Sequence, residues 1–395
     1  MAVEYRAPKT KAEADDAIRC TVEAFGGNEE FFTNIVKEDP YYRDENTRAC
    51  FVDGEVVSVV QIFERPMRIG SCIVKAACIG SVGTPPPHRR KGYSVGVLHD
   101  TAKYVLDDGY DISLLFTGVR GHYAKGGWVI YPTRFFQVEI PDALPEPSGG
   151  IDVELFDATR DLDDVKWIYT VENGQRTGSF ERTDVYWDRR PRWRHQAEDS
   201  FFVARRDGKV AAYGCGRDGA VREAGALPGE DHALEAILVR ILGLAREAGR
   251  DRTRANLPKE FGPVLERIGC KIRRSENPNS MARLGDLSGI LRKVTPLLED
   301  RLRDAGISDL SPVQLRTEMA SAVVGMKDGV TSVEADGKGV EVALSQEQMI
   351  GLLVGGLTID HVVAANMLSL DDASAKALRA MFPPDELHHW EWDGY

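Results

Sequence analysis

Arg89, Arg90 and Lys91 stand directly before Gly92 in the stretch VGTPPPHRRKGYSVGVLHDTA, residues 82–102. A β-compatible run from Ala76 to Val82 leads into three prolines, and an amphipathic segment follows the glycine. A helix starting there presents unpaired N–H groups and a partial positive charge. Glycine lets the backbone turn close to a ligand, and arginines add charge and donors. The combination predicts an anion cradle of the kind that holds a pyrophosphate. Basic residues in a first turn oppose the helix dipole, and a bound anion is a reason for them. The plainer reading of the same residues is a capped surface helix with a basic start. The spacing is neither the P-loop GxxxxGK[ST] nor GxGxxG.

Other groups with chemistry lie further along. Tyr123, in GHYAKGGW (121–128), carries a phenol that can donate a proton without ionising at rest. The last eleven residues, DELHHWEWDGY, hold Glu391 and Asp393 among Trp390, Trp392 and Tyr395, whose rings have apolar area to bury. Glu29, Glu30, Glu391 and Asp393 are candidates to line a pocket for a cationic substrate, or are plain surface charge. His388 and His389 are adjacent, so on an extended segment they point opposite ways. No HExxH or cysteine cluster accompanies them, and no metal is expected. Trp187, Trp193 and the run RRPRWRHQ (189–196) look like an RNA patch in isolation; in an acidic protein a loop or an inter-domain contact is the better reading.

The elements that must position these residues can be read from pattern. With 395 residues, 43% of them hydrophobic, the chain has length for two or three domains with real cores. A net charge of −12 does not favour nucleic acid or anionic membranes as partners, and it can attract cationic small molecules. Six scattered cysteines without a CxxC pair fit reduced thiols. The N-terminal residues show no apolar signal core, and Met349 to Ile359 is too short to span a bilayer, so the expected location is the cytoplasm.

Residues 11–26 read as a helix, and a short helix follows through Phe31, Phe32 and Ile35. The stretch 48–64 reads as a hairpin around Asp53-Gly54, with a strand over 72–83, a helix over 92–107, a buried strand over 111–116 and a late strand over 134–140. Residues 141–150 form a linker. The pattern then partly repeats: 201–216 mirrors 48–64 around Asp207-Gly208, and an amphipathic helix at 231–249 sits as 92–107 does. The residues before it, EAGALPGED, lack the Arg-Arg-x-Gly. From about 286 a third pattern begins, with a helical stretch, a hairpin expected around Asp336-Gly337, a capping box at Ser345 and Gln348, and a last helix capped by Ser369.

Val82-x-Thr84-x-x-x-x-Arg89-Arg90-x-Gly92 resembles motif A of the GNAT acetyltransferases, with Ser94 where Gly or Ala is usual. Tyr123 in its segment, the aromatic tail and the three-part pattern resemble the Eis (enhanced intracellular survival) group of that family. The resemblance covers nearly the whole chain. It implies an α/β (α+β) fold: a GNAT unit that binds acetyl-CoA (1–143), a degenerate GNAT-like unit (144–288), and a sterol-carrier-type α+β domain with a catalytic tail (289–395). It implies that the backbone of Val82 and Thr84 pairs with pantetheine, with Gly83 between them in the cofactor site. Arg89, Arg90, Lys91, Gly92, Tyr93, Ser94 and Val95 would hold the pyrophosphate. Tyr123 would be the general acid, and the C-terminal carboxylate of Tyr395 the base or the amine anchor. It further implies an acceptor amine on a small cation, aminoglycoside, polyamine or lysine, and a homo-oligomer, hexameric in relatives. A competing reading is a lipid-binding or interaction module with a vestigial GNAT unit.

Overall fold

The computed structural model describes residues 2–147, 149–194 and 200–394, without the side chains of 190–194. Tyr395, residues 195–196 of the run 189–196, and the side chains of 190–194, Trp193 among them, lie outside what is described.

Among the described residues the chain builds three sheets. The first runs, in spatial order, Val3–Arg6, Thr47–Val52, Glu55–Ile69, Cys72–Gly83, Ile112–Phe116, Ser280–Leu284 and Val129–Ile130. Its hairpin turns at Asp53-Gly54, both with positive φ, as the Asp-Gly pair favours. Helix Lys11–Phe25 starts at Thr10, whose hydroxyl accepts from the N–H of Glu13. Helix Tyr93–Asp107 turns Val97, Leu98, Ala102 and Val105 into the core against Val60, Ile62 and Leu115.

The second sheet runs Lys271–Asn277, Thr133–Glu139, Arg252–Ala255, Ala220–Ala226, Lys209–Arg217, Phe201–Arg206 and Ile151–Leu155. Helix Asp231–Glu247 covers it with an apolar face that includes Leu234, Ile237, Leu238 and Ile241. The late strand expected at 134–140 is present, but it pairs in this second sheet rather than the first. Ser280–Leu284 makes the opposite crossing and pairs with Ile112–Phe116. A strand therefore crosses each way over the expected divisions at 143 and 288. Alternation tells which face of a strand is buried and says nothing of which edge it joins.

The third sheet, Val330–Glu334, Ser321–Lys327, Leu310–Arg316 and Val340–Ala343, corrects one expectation. The hairpin turns at Asp328-Gly329, not at Asp336-Gly337. Asp328 and Gly329 both take positive φ (52° and 79°), while the later pair leads to a strand that runs parallel to Leu310–Arg316. The capping box of Ser345 and Gln348 forms as expected. The last helix, Asp372–Met381, is capped by Asp371 rather than Ser369. Its domain shares one apolar core with the first sheet: Met67, Val74, Ile112 and Leu114 lie in the same cluster as Leu287, Ile290, Leu298 and Val324.

Candidate active site

The strands Cys72–Gly83 and Ile112–Phe116 run parallel, but they pair only at Ala76–Cys78 with Ile112–Leu114. Beyond that they part. On the other side of Cys72–Gly83 the register shifts between Val59↔Gly83 and Gln61↔Gly80, a β-bulge. Ser81 sits at the bulge with φ 49°, a left-handed conformation that costs a non-glycine residue about 1–2 kcal/mol. Bulges re-aim backbone next to active sites. This one takes Ser81 and Val82 out of regular pairing before Gly83 pairs again with Val59, just ahead of Thr84.

A cleft of about 820 Å³ opens at the parting. Its lining includes Val82, Gly83, Thr84, Arg89, Arg90, Gly92, Tyr93, Ser94 and Val95, so the fold brings together all the expected cofactor residues except Lys91, which is exposed and does not line it. Gly92 is the N-cap of helix Tyr93–Asp107, with φ 83° and no side chain bonded to the helix amides. A side chain there would be strained, and a Cβ would meet nothing within 4 Å. No side chain caps the first-turn amides, whose residues Tyr93, Ser94 and Val95 line the cleft. Arg89 braces the loop: its guanidinium donates to the carbonyls of Thr84 (2.9 Å) and Ala24 (3.0 Å). Thr84 is tied to Ser58 at 2.8 Å.

Tyr123 ends the short helix Arg120–Tyr123 and is buried in the core beside Leu98 and Trp128. Burial raises its phenol above the ordinary value, against a smaller opposite pull from Thr117. It does not itself line the cleft; its neighbour His122 does. His122 Nε2 lies 2.8 Å from Ser94 Oγ, and burial, then Lys125, holds its pKa below the usual value. Sequence pattern gave no sign of His122 because its partner stands 28 residues away.

A second cavity, of about 300 Å³, is lined by Phe116 at the open end of its strand, by Arg222, Arg254 and Asn256 of the second unit, and by the tail residues His389 to Glu391, Asp393 and Gly394. Of the four carboxylates expected to receive a cation, Glu391 and Asp393 lie here. Glu29 and Glu30 are exposed at the start of helix Glu29–Lys37 and line neither cavity. Glu391 pairs with Arg254 (2.9 Å), and Asp393 with the buried Arg182 (2.8 Å). His389 is buried against Tyr131, whose hydroxyl lies 3.1 Å from Nε2. No group of three or more His, Cys, Asp or Glu among the described residues could hold a metal ion.

Residues 4–131 match the family model described as an acetyltransferase (GNAT) domain. The chain carries an N-acetyltransferase domain. No curated protein matches the chain. Solved structures share the fold along its full length. A GCN5-related N-acetyltransferase from Anabaena variabilis aligns with TM-score 0.73 and 15% identity, over 100% of both chains. A probable N-acyltransferase from Enterococcus faecalis gives 0.73 and 14% over the same spans. Eis1 from Mycobacterium abscessus gives 0.65 and 15%, again over 100% of each chain. At that identity the likeness is one of architecture. The parted strands, the bulge and the uncapped helix start of this chain lie within the matched domain. No helix among the described residues is long and apolar enough to cross a membrane.

Proposed function

We propose that this enzyme transfers the acetyl group of acetyl-CoA to an amine of a small cationic acceptor, in the manner of the Eis group. The observation that carries the reading is the parting of Cys72–Gly83 from Ile112–Phe116 between two cavities: Val119 lines the larger one, and Phe116, three residues earlier, lines the smaller. Pantetheine would lie along Val82 to Thr84, with the pyrophosphate at the amides after Gly92 and against Arg90. The acceptor would enter from the smaller cavity.

The amine nitrogen attacks the thioester carbon, the C–S bond breaks, and the leaving thiolate needs a proton. Tyr123 is assigned to give it; burial keeps that proton on the phenol at rest. The ammonium must lose a proton first. The carboxylate of Tyr395 is assigned that role, supported by Gly394 lining the acceptor cavity. The lining side chains Arg222, Arg254, Glu391 and Asp393 balance in formal charge, so this further carboxylate would tip the cavity toward cations. The four-stranded sheet with its helices is read as the sterol-carrier-type unit, and a hexamer as the assembly. Six buried cysteines with no disulfide among the described residues suit a reducing compartment such as the cytoplasm.

Mixed with acetyl-CoA and kanamycin, spermidine or lysine, the protein is expected to release free CoA thiol. Tyr123→Phe should lower kcat by about 10²–10⁴-fold with acetyl-CoA affinity kept. A glycine added after Tyr395 shifts the carboxylate by up to about 3.3–3.6 Å and should likewise cut turnover while sparing acetyl-CoA binding. No thiol release with any of the amines would overturn the acceptor class, and full turnover by either variant would remove that residue from the mechanism.

A further inference from the structure

The second unit repeats the parted strands of the first. Ala220–Ala226 and Arg252–Ala255 run parallel and pair only at Val221↔Ala255. What differs is the loop before its helix. Where the first unit has arginines, this one has Glu230 and Asp231, paired with Arg206 and Arg267 at 2.8 Å each. Two carboxylates at that helix start disfavour a phosphate. The opening is nevertheless not left vacant.

The C-terminal tail is bonded to both strands where they part. Asn256, just past the end of Arg252–Ala255, donates from Nδ2 to the carbonyl of His389 at 2.7 Å. Glu223, on Ala220–Ala226, takes a two-pronged pair from Arg182, at 2.8 and 2.6 Å. The same guanidinium makes a second fork to Asp393, at 2.9 and 2.8 Å. Arg182 is fully buried at its side chain and lies 4.4 Å from the ring centroid of Trp392. One planar cation thus joins the strand to the tail with four directed bonds, a geometry that lysine cannot reproduce. Upstream, Gly178 (φ 96°) lets the tail pass. A Cβ there would come within 2.8 Å of the His388 carbonyl oxygen and 2.9 Å of its nitrogen.

We propose that the parted strands of the second unit are a clamp for the C-terminal tail, and that Arg182, acting through Asp393, is a positioning residue for the tail wall of the smaller cavity. The clamp gives the unit without a phosphate loop a task in the enzyme. That this wall meets the acceptor rests on the function proposed above; the clamp itself does not.

The test combines hydrogen–deuterium exchange with kinetics on the full chain. In Arg182→Lys, which keeps the charge and loses the fork, amides of 386–394 should exchange at least about tenfold faster. Those of 47–83 and 201–217 should stay protected. Gly178→Ala, which carries no charge change, should loosen the same tail segment. With kanamycin as the acceptor probe, KM should rise at least about tenfold in Arg182→Lys, the loss of one directed contact, while kcat changes less and acetyl-CoA binding is kept. Unchanged tail exchange in both variants would overturn the clamp, as would loss of protection spreading equally through 201–217, which would make Arg182 a support of the second core only. Loosened tail exchange with unchanged KM would overturn its positioning role at the acceptor. If the wild-type protein turns over none of the amines, the acceptor reading fails, and the exchange result still decides the clamp.

Discussion

His389 shows how much a single side chain in this site depends on distant ones. It is buried among Tyr131, Phe180 and Phe116, and that desolvation pulls its pKa down to about 4. An unfolded imidazole titrates near 6.5, so between those values the unfolded chain takes up a proton that the folded one refuses. Its contribution is full above pH 6.5 and is lost as pH falls toward 4, by about 3 kcal/mol. Urea unfolding at pH 7 and pH 4.5 should show the loss, and His389→Asn should make it smaller. An unchanged difference would mean the ring is not held neutral. At this scale the sequence was legible where a motif sets residue types at a local spacing. Gly92 with Arg89 and Arg90 is such a case, and nine of the ten expected cofactor residues line one cleft. Arg182, His122 and Asn256 were not legible, because each matters through a partner 28 to 211 residues away. Glu29 and Glu30 show the converse: acidic type alone does not place a residue in a cavity.

The element that does most of the positioning is the strand Cys72–Gly83 with the helix that follows. The helix was readable from its apolar stripe and from the glycine at its start. The bulge was not, since nothing in Ile79-Gly80-Ser81-Val82 marks which residue leaves the ladder, and the choice falls on serine rather than the glycine beside it. The same limit misplaced the hairpin of the third sheet: two Asp-Gly pairs stand eight residues apart, and only strand pairing selects between them. The helix start yields a direct test. Gly92→Glu places a carboxylate among the free amides, in space where a Cβ meets nothing. The left-handed φ adds a backbone cost of about 1–2 kcal/mol, which a chain of this size should survive. Calorimetric titration should find acetyl-CoA affinity down at least about tenfold, with circular dichroism unchanged. Wild-type affinity in a folded variant would place the cofactor elsewhere.

At the scale of the whole molecule the units are tied by strand exchange as well as by the connecting stretch after Glu139. Thr133–Glu139 leaves for the second sheet, and Ser280–Leu284 arrives to cover the edge of Ile112–Phe116. The helices and strands after residue 286 share a core with the first sheet, and Leu284 donates its backbone amide to Gln346 at 2.7 Å while the Gln346 side-chain amide donates to the Gly127 carbonyl at 2.9 Å. Composition and motif spacing predicted three patterns in order, yet they read as beads because pairing between distant strands leaves no local mark. A fragment of residues 1–143 should therefore fail as an independent domain, although it contains the whole matched acetyltransferase segment. It would carry an open edge at Ile112–Phe116, a strand with no sheet, and bare side chains such as Met67, Val74, Ile112 and Leu114, each of which contributes about 1.5–3 kcal/mol when buried. Expressed alone it should aggregate or show a sparse, poorly dispersed NMR spectrum. Expressed together with residues 144–395 it should co-elute as one complex and bind acetyl-CoA. A soluble, folded 1–143 that binds acetyl-CoA as the full chain does would show that the exchanged strand is dispensable, and that the cleft depends only on the elements that line it.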